Sequence, residues 1–110
     1  MKLSRFISKL QDLQEELPLF ITHFDGTQYP LHSVFAPCDE YIEIYSDEWD
    51  EERSAITVKE CLRQIEEYNQ DETTDKSIKV NIIVGNEDDT SDTIDDYLKN
   101  IVVTDKVLLS

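Results

Sequence analysis

A chain of 110 residues carries 25 acidic side chains against 10 basic ones, a formal charge of -15, with 39% hydrophobic residues. That length suits one domain (1–110), or two very small units sharing one core, and it needs no metal or disulfide to stay folded. So negative a surface repels nucleic-acid phosphates and anionic membranes, which argues against direct nucleic-acid binding and membrane association and makes a basic partner the natural one.

The first ten residues, Met1 to Leu10, contain no apolar core and no small-residue cleavage site of the kind a secretory signal needs. No stretch approaches the ~20 apolar residues of a membrane helix. Cys38 and Cys61 suggest no disulfide framework, and a reducing, cytoplasmic setting is expected. Leu3, Phe6, Ile7, Leu10 and Leu13 recur at helical spacing, which predicts an amphipathic first helix ended by Pro18. A strand follows at Leu19–His23, then an acidic-glycine turn at Asp25-Gly26. Tyr29–Cys38 holds Pro30 and Pro37 and should be extended, with a short strand at best. Tyr41–Tyr45 alternates, Ile42 and Ile44 facing inward, and reads as a strand with one face buried. The linker 46–55 is acidic. Val58, Cys61, Leu62, Ile65 and Tyr68 mark a second helix, with Thr57 as its cap and Glu60 completing a capping box. A strand is expected at Ile78–Ile82, a turn at Gly85-Asn86, a short helix within Ser91–Asn100 on the shared face of Ile94, Tyr97 and Leu98, and a last strand at Asn100–Thr104.

These elements fall into an internal repeat, 1–46 and 56–104. The helices align at a shift of 55 positions and the following strands at 59, the difference falling in Asn69–Ser77; the latter shift also lays Gly26 on Gly85, the only two glycines, and Tyr41–Tyr45 on Asn100–Thr104. The expected fold is α+β: two tandem helix–strand–strand units sharing one antiparallel or mixed sheet, with both helices on one face.

The first unit resembles short phage and mobile-element proteins of unassigned function. The residues that carry the likeness are Phe6-Ile7-Ser8-Lys9-Leu10, Pro18–Phe24, Asp25-Gly26, Pro30-Leu31-His32-Ser33-Val34 and Tyr41–Ser46. The second unit keeps the helix, the strands and Gly85 but lacks the Pro-Leu-x-Ser-Val element. The resemblance implies a setting in the host bacterial cytosol rather than a reaction, and small acidic proteins of that setting look like anti-CRISPR or anti-restriction inhibitors.

Signals for chemistry are sparse, and no enzyme is expected. A Cys38/His32 dyad lacks any local signature. His23, His32 and Cys38, with eight and five residues between them, are spaced too widely for a structural zinc site, and a fourth ligand would have to come from Asp25 or Asp39. An EF-hand beginning at Asp88 would put Thr93 where glycine is required and Lys99 where a bidentate glutamate is required. Two glycines cannot build a phosphate-cradling loop. Neither a cofactor nor a metal is expected.

The charge is uneven. Residues 1–38 are nearly neutral, whereas 39–110 carry 7 basic and 21 acidic residues. Three clusters supply most of the excess: Asp39, Glu40, Glu43, Asp47, Glu48, Asp50, Glu51 and Glu52; Glu66, Glu67, Asp71, Glu72 and Asp75; and Glu87, Asp88, Asp89, Asp92, Asp95 and Asp96. Carboxylates at alternate strand positions, ~6.5–7 Å apart, or at i,i+4 on a helix, ~6 Å apart, can imitate a track of phosphates. Asp47, Glu48, Asp50, Glu51 and Glu52 around Trp49, the only tryptophan, form the first candidate contact surface, since Trp often anchors a binding patch. Glu87, Asp88, Asp89, Asp92, Asp95 and Asp96 form the second, together with the cluster at 66–75. The expected function is stoichiometric, non-catalytic inhibition of a nucleic-acid-binding protein by mimicry of nucleic acid, with a homodimer left open. The alternative is an assembly module of a phage-like element whose acidity only keeps it soluble.

Overall fold

The computed structural model describes residues 1–23, 26–36, 40–47, 54–68, 75–83 and 93–110. Two helices, α1 (Leu3–Gln11) and α2 (Val58–Tyr68), are set among strands β1 (Leu19–Thr22), β2 (Gln28–Pro30), β3 (Ser33–Phe35), β4 (Tyr41–Asp47), β5 (Ser77–Ile83), β6 (Thr93–Tyr97), β7 (Ile101–Val103) and β8 (Val107–Leu109). The class is α+β.

Each helix forms where the 3.6-residue period lines up its apolar residues. Leu3, Phe6 and Leu10 are buried on α1, and Val58, Cys61 and Ile65 on α2. Their starts are capped differently. Thr57 Oγ1 accepts the Glu60 backbone N–H at 3.3 Å, as expected of an N-cap. The Glu60 carboxylate turns instead to Arg63, at 2.6 Å and 2.9 Å. On α1 the cap position is Lys2, which offers no side-chain bond. Asp75 supplies one from across the chain, its carboxylate accepting Ser4 N–H at 3.0 Å and the Ser4 hydroxyl at 2.7 Å.

The strands form two four-stranded mixed sheets, not the single shared sheet expected. Sheet 1 has the order β3-β4-β5-β6 and sheet 2 the order β2-β1-β8-β7. In each, a central parallel pair is flanked by antiparallel outer strands. The division arises because the chain changes sheet twice, at Leu31-His32 between β2 and β3 and again after Leu98 between β6 and β7, so each half contributes two strands to each sheet. Both helices meet sheet 1, α2 along β3 and α1 at β5, and they touch one another. The core lies on the inner faces: Ile42, Ile44, Ile78, Val80 and Ile82 from sheet 1, and Leu19, Ile21, Val107 and Leu109 from sheet 2, every one of them buried. Ser46, also buried, donates to the Pro30 carbonyl at 2.7 Å and so ties β4 to β2.

The short helix expected within Ser91–Asn100 is replaced, over its described part, by β6. Two apolar residues four positions apart, Ile94 and Leu98, satisfy a two-residue period as well as a helical one. Pairing with β5 decides between them, with Lys79 opposite Tyr97 and Ile82 opposite Ile94. Leu98 is fully buried just past the strand end.

The hydrogen bonding of the first half recurs in the second. Leu3 N–H donates to Lys76 O and Val58 N–H to Leu17 O; Leu19 N–H to Ile56 O and Ile78 N–H to Met1 O; Leu31 N–H to Leu19 O and Leu98 N–H to Ile78 O; His32 N–H to Tyr45 O and Lys99 N–H to Ser110 O. The bridges Lys2–Ser77 and Thr57–Pro18 match in the same way. Under this correspondence β1, β2, β3 and β4 answer to β5, β6, β7 and β8, which exchanges the two sheets. Tyr41–Tyr45 then answers to Lys106–Ser110, one strand later than the Asn100–Thr104 that a constant shift suggests. The parallel pairs even share a cation–ring contact with the partners swapped: Lys79 Nζ of β5 lies 4.5 Å from the Tyr41 ring centre of β4, and Lys106 Nζ beside β8 lies 5.0 Å from the Phe20 ring centre of β1.

Candidate functional site

Inward-facing isoleucines on β4 and β5 send the residues between them to the outer face of sheet 1. Strand register aligns backbone positions in rows: Phe35, Glu43, Lys79 and Tyr97; then Ser33, Tyr45, Asn81 and Asp95; then Asp47, Ile83 and Thr93. The first two rows make an aromatic and polar surface. Lys79 Nζ sits between the rings of Tyr41, at 4.5 Å, and Tyr97, at 5.1 Å. Phe35 packs on Tyr45 at 5.8 Å, and His32 lies 6.5 Å from Tyr45. Glu43, counted by sequence among the solvated acids, is only 5% exposed and accepts Asn81 Nδ2–H at 2.7 Å. A buried carboxylate needs such a donor, so Glu43 serves the sheet rather than an exposed charge track.

The third row bears on the acidic candidates. Parallel β4 and β5 run out at the same end of sheet 1, and antiparallel β6 begins there, so Asp47, Ile83 and Thr93 are neighbours across three strands. Adjacent strands lie ~4.8 Å apart. Segment 84–92 is joined to this row at both ends, at Ile83 and Thr93, and segment 48–53 at its first end, at Asp47, its other end joining Ser54. Of the candidate contact residues, Asp47 closes β4, and Asp95 and Asp96 stand on β6 opposite Asn81 and Val80. Glu48, Trp49, Asp50, Glu51, Glu52, Glu87, Asp88, Asp89 and Asp92 lie outside the described residues, as do Asp71, Glu72 and Asp39. The row is thus where two acid-rich segments, distant in sequence, adjoin sheet 1.

The cluster at 66–75 divides. Glu66 and Glu67 are exposed on the last turn of α2, Glu67 3.4 Å from Arg63. Asp75 is committed to capping α1, and the two hydrogen bonds from Ser4 hold its carboxyl below the usual Asp range. Glu60, exposed and held by Arg63 and Gln64, is drawn down to about 2.

His32 is buried against Tyr45. Cys61 packs in the core at the position answering to Phe6, and burial pushes its thiol up to about 12, far from a nucleophile's range. Cys38 lies outside the described residues. Among the described residues no group of His, Cys, Asp and Glu could hold a metal ion, and no helix is long and apolar enough to cross a membrane.

Sequence reasoning missed the Tyr41–Lys79–Tyr97 stack and the Glu43–Asn81 pair. The outward positions of β4, Tyr41, Glu43 and Tyr45, are unusually aromatic for a solvated face, which was a legible signal. Their partners on β5 and β6 depend on register. No protein-family model matches the chain, and neither a curated protein nor a solved structure matches it.

Proposed function

We propose that this chain is a non-catalytic acidic binding protein of the bacterial cytosol that occupies the cationic surface of a nucleic-acid-binding protein by imitating nucleic acid, in the manner of phage anti-restriction or anti-CRISPR inhibitors. The reading rests on the row Asp47–Ile83–Thr93, from which segment 48–53 departs and to which segment 84–92 is joined at both ends.

The corresponding end of sheet 2 supplies the contrast. There β1 and β2 are joined by a tight turn in which His23 N–H donates to Thr27 O at 2.8 Å and Gly26 N–H to His23 O at 2.9 Å. Gly26 takes φ 91°, which a side chain would disfavour. The fold thus asks only a short turn of this connection. Between β5 and β6 the chain instead spends residues 84–92, including Glu87, Asp88, Asp89 and Asp92. Between β4 and α2 it spends 48–53, including Glu48, Asp50, Glu51 and Glu52. Length and like charge beyond what strand pairing needs oppose stability through repulsion, and a cationic receptor offsets that cost. Trp49 lies in the sequence among these acids and supplies the apolar anchor.

The test is capture from bacterial lysate with the full chain as bait, followed by elution with salt or with competing duplex DNA, beside a variant in which Asp50, Glu51 and Glu52 are all changed to Lys. The reading expects a nucleic-acid-binding protein that both eluants release and the variant fails to capture. Association should slow as salt rises, because charges are screened over ~10 Å in 0.1 M salt. A captured protein that DNA does not displace and the triple variant still holds would overturn mimicry and leave an assembly role.

A further inference from the structure

β7 is an outer strand of sheet 2, and among the described residues nothing pairs with its far side. Asn100 and Ser110 exchange hydrogen bonds at 2.8 Å and 3.0 Å, and Thr104 N–H donates to Lys106 O at 2.9 Å. Antiparallel alternation then turns the backbone groups of Val102 toward β8 and those of Ile101 and Val103 outward. The edge is apolar and exposed, with Val102 at 51% and Val103 at 44%. Within the three residues of β7 there is no charge, proline or glycine to discourage pairing.

The corresponding edge of sheet 1 is closed. Val34 N–H, which answers to that of Ile101, donates to Gln64 Oε1 of α2 at 2.8 Å. The residue of α1 in the place of Gln64 is Lys9, three beyond Phe6 as Gln64 is three beyond Cys61. An ammonium has no acceptor to offer an N–H. One edge is therefore capped by its own helix, and the residue of α1 that answers to the cap has no acceptor to give.

We propose that β7 pairs antiparallel with β7 of a second copy, about a two-fold axis at Val102, joining the two copies of sheet 2 into one continuous sheet. Residues 99–106 carry Lys99 and Lys106 against Asp105, a locally positive stretch in a chain of charge -15, so two copies approach here without opposing their negative excess. The register is self-complementary. Centring on Val102 sets Ile101 opposite Val103, both with outward backbone groups, and brings the Lys99 end of one strand to the Thr104–Lys106 turn of the partner, which carries Asp105, twice by symmetry. Centring on Ile101 would set Lys99 against Val103, and centring on Val103 would set Asp105 against Ile101. Only the Val102 register satisfies backbone and charge together.

Sedimentation equilibrium of the full chain tests this. The wild type should dimerise, and more tightly as salt screens the overall repulsion, opposite in sign to the salt response proposed for the cationic partner, so the two readings fail separately. Val103→Pro removes an N–H that faces away from β8 and should weaken dimerisation roughly tenfold or more, with circular dichroism reporting that the fold is kept. Lys99→Asp and Asp105→Lys should each weaken it, and the double exchange should restore it, an outcome that a purely structural effect does not produce. The proposal is overturned by a chain that stays monomeric at every salt, by a dimer indifferent to the single charge changes, or by an edge whose Val103→Pro change affects only capture of another protein.

Discussion

Leu31 and Leu98 mark the two points at which the chain passes between sheets, and they provide a quantitative test of the correspondence between the halves. Both are fully buried. Leu31 donates to Leu19 O and accepts from Ile56, while Leu98 donates to Ile78 O and accepts from the Met1 amine. Leu→Ala at either site deletes three buried carbons, at about 0.8 kcal/mol each for transfer, and adds a cavity term. The expected loss is about 3–4 kcal/mol, within the range of about 2–5 measured for such changes. With an unfolding entropy near 2.1 cal/mol/K per residue, a loss of about 3 kcal/mol lowers Tm by roughly 13 °C. Urea unfolding followed by circular dichroism, at one fixed salt concentration because self-repulsion contributes, measures both variants. Equivalent sites should lose stability to within about 1 kcal/mol of one another. A Leu98→Ala variant that loses under about 1 kcal/mol while Leu31→Ala loses about 3 would refute the equivalence, leaving only a likeness of hydrogen-bond diagrams.

Gln64→Leu strips the cap from the β3 edge and should cost about 1–3 kcal/mol by leaving Val34 N–H unpaired; hydrogen exchange should quicken at Val34, and unchanged protection there would count against the Gln64 bond. Asp75 should titrate below 3.8 by NMR, its reference value. Because its folded pKa is depressed, its contribution to stability is present above the unfolded pKa and lost as pH falls through the folded one, and Asp75→Asn should remove that part of the acid sensitivity; an Asp75 carboxyl titrating at or above the reference value would contradict the cap. A circular permutant that joins Ser110 to Met1 through a neutral linker of roughly ten residues and opens the chain within 48–53 should unfold at a urea midpoint close to that of the parent, because the two junctions correspond. Failure to fold would show that the acidic linker has a structural role.

Both helices, the main strands, the Thr57 cap and the core placement of Cys61 were legible because each depends on a short-range period or a local hydrogen bond. What the sequence could not reveal depended on partners far along the chain. Asp75 read as one acid in a cluster, and its role appears only when Ser4, 71 residues away, is brought to it. Glu43 read as solvated because strand alternation says which face it takes but not that Asn81 lies beside it. The division into two sheets follows from β4 choosing β5, and β1 choosing β8, as parallel neighbours, a choice no local pattern encodes. A repeat aligned by a constant shift slips by a strand because residues 84–92 between β5 and β6 outnumber those of the turn joining β1 to β2.

The correspondence also separates what the fold requires from what it merely carries. Where the halves agree, in the backbone bonds about Leu19 and Ile78, about Leu31 and Leu98, and in the cation–ring contacts across each parallel pair, the residues explain assembly. Where they differ, one half reaches the same connection with less. Sheet 2 turns from β1 to β2 through Gly26, whereas sheet 1 has residues 84–92 in that place. Strand pairing therefore does not account for Glu87, Asp88, Asp89 and Asp92 of that segment, which leaves β5 at Ile83 and enters β6 at Thr93. Their charge is surplus to what the turn requires, and under the function proposed above it is the charge that a cationic partner would meet.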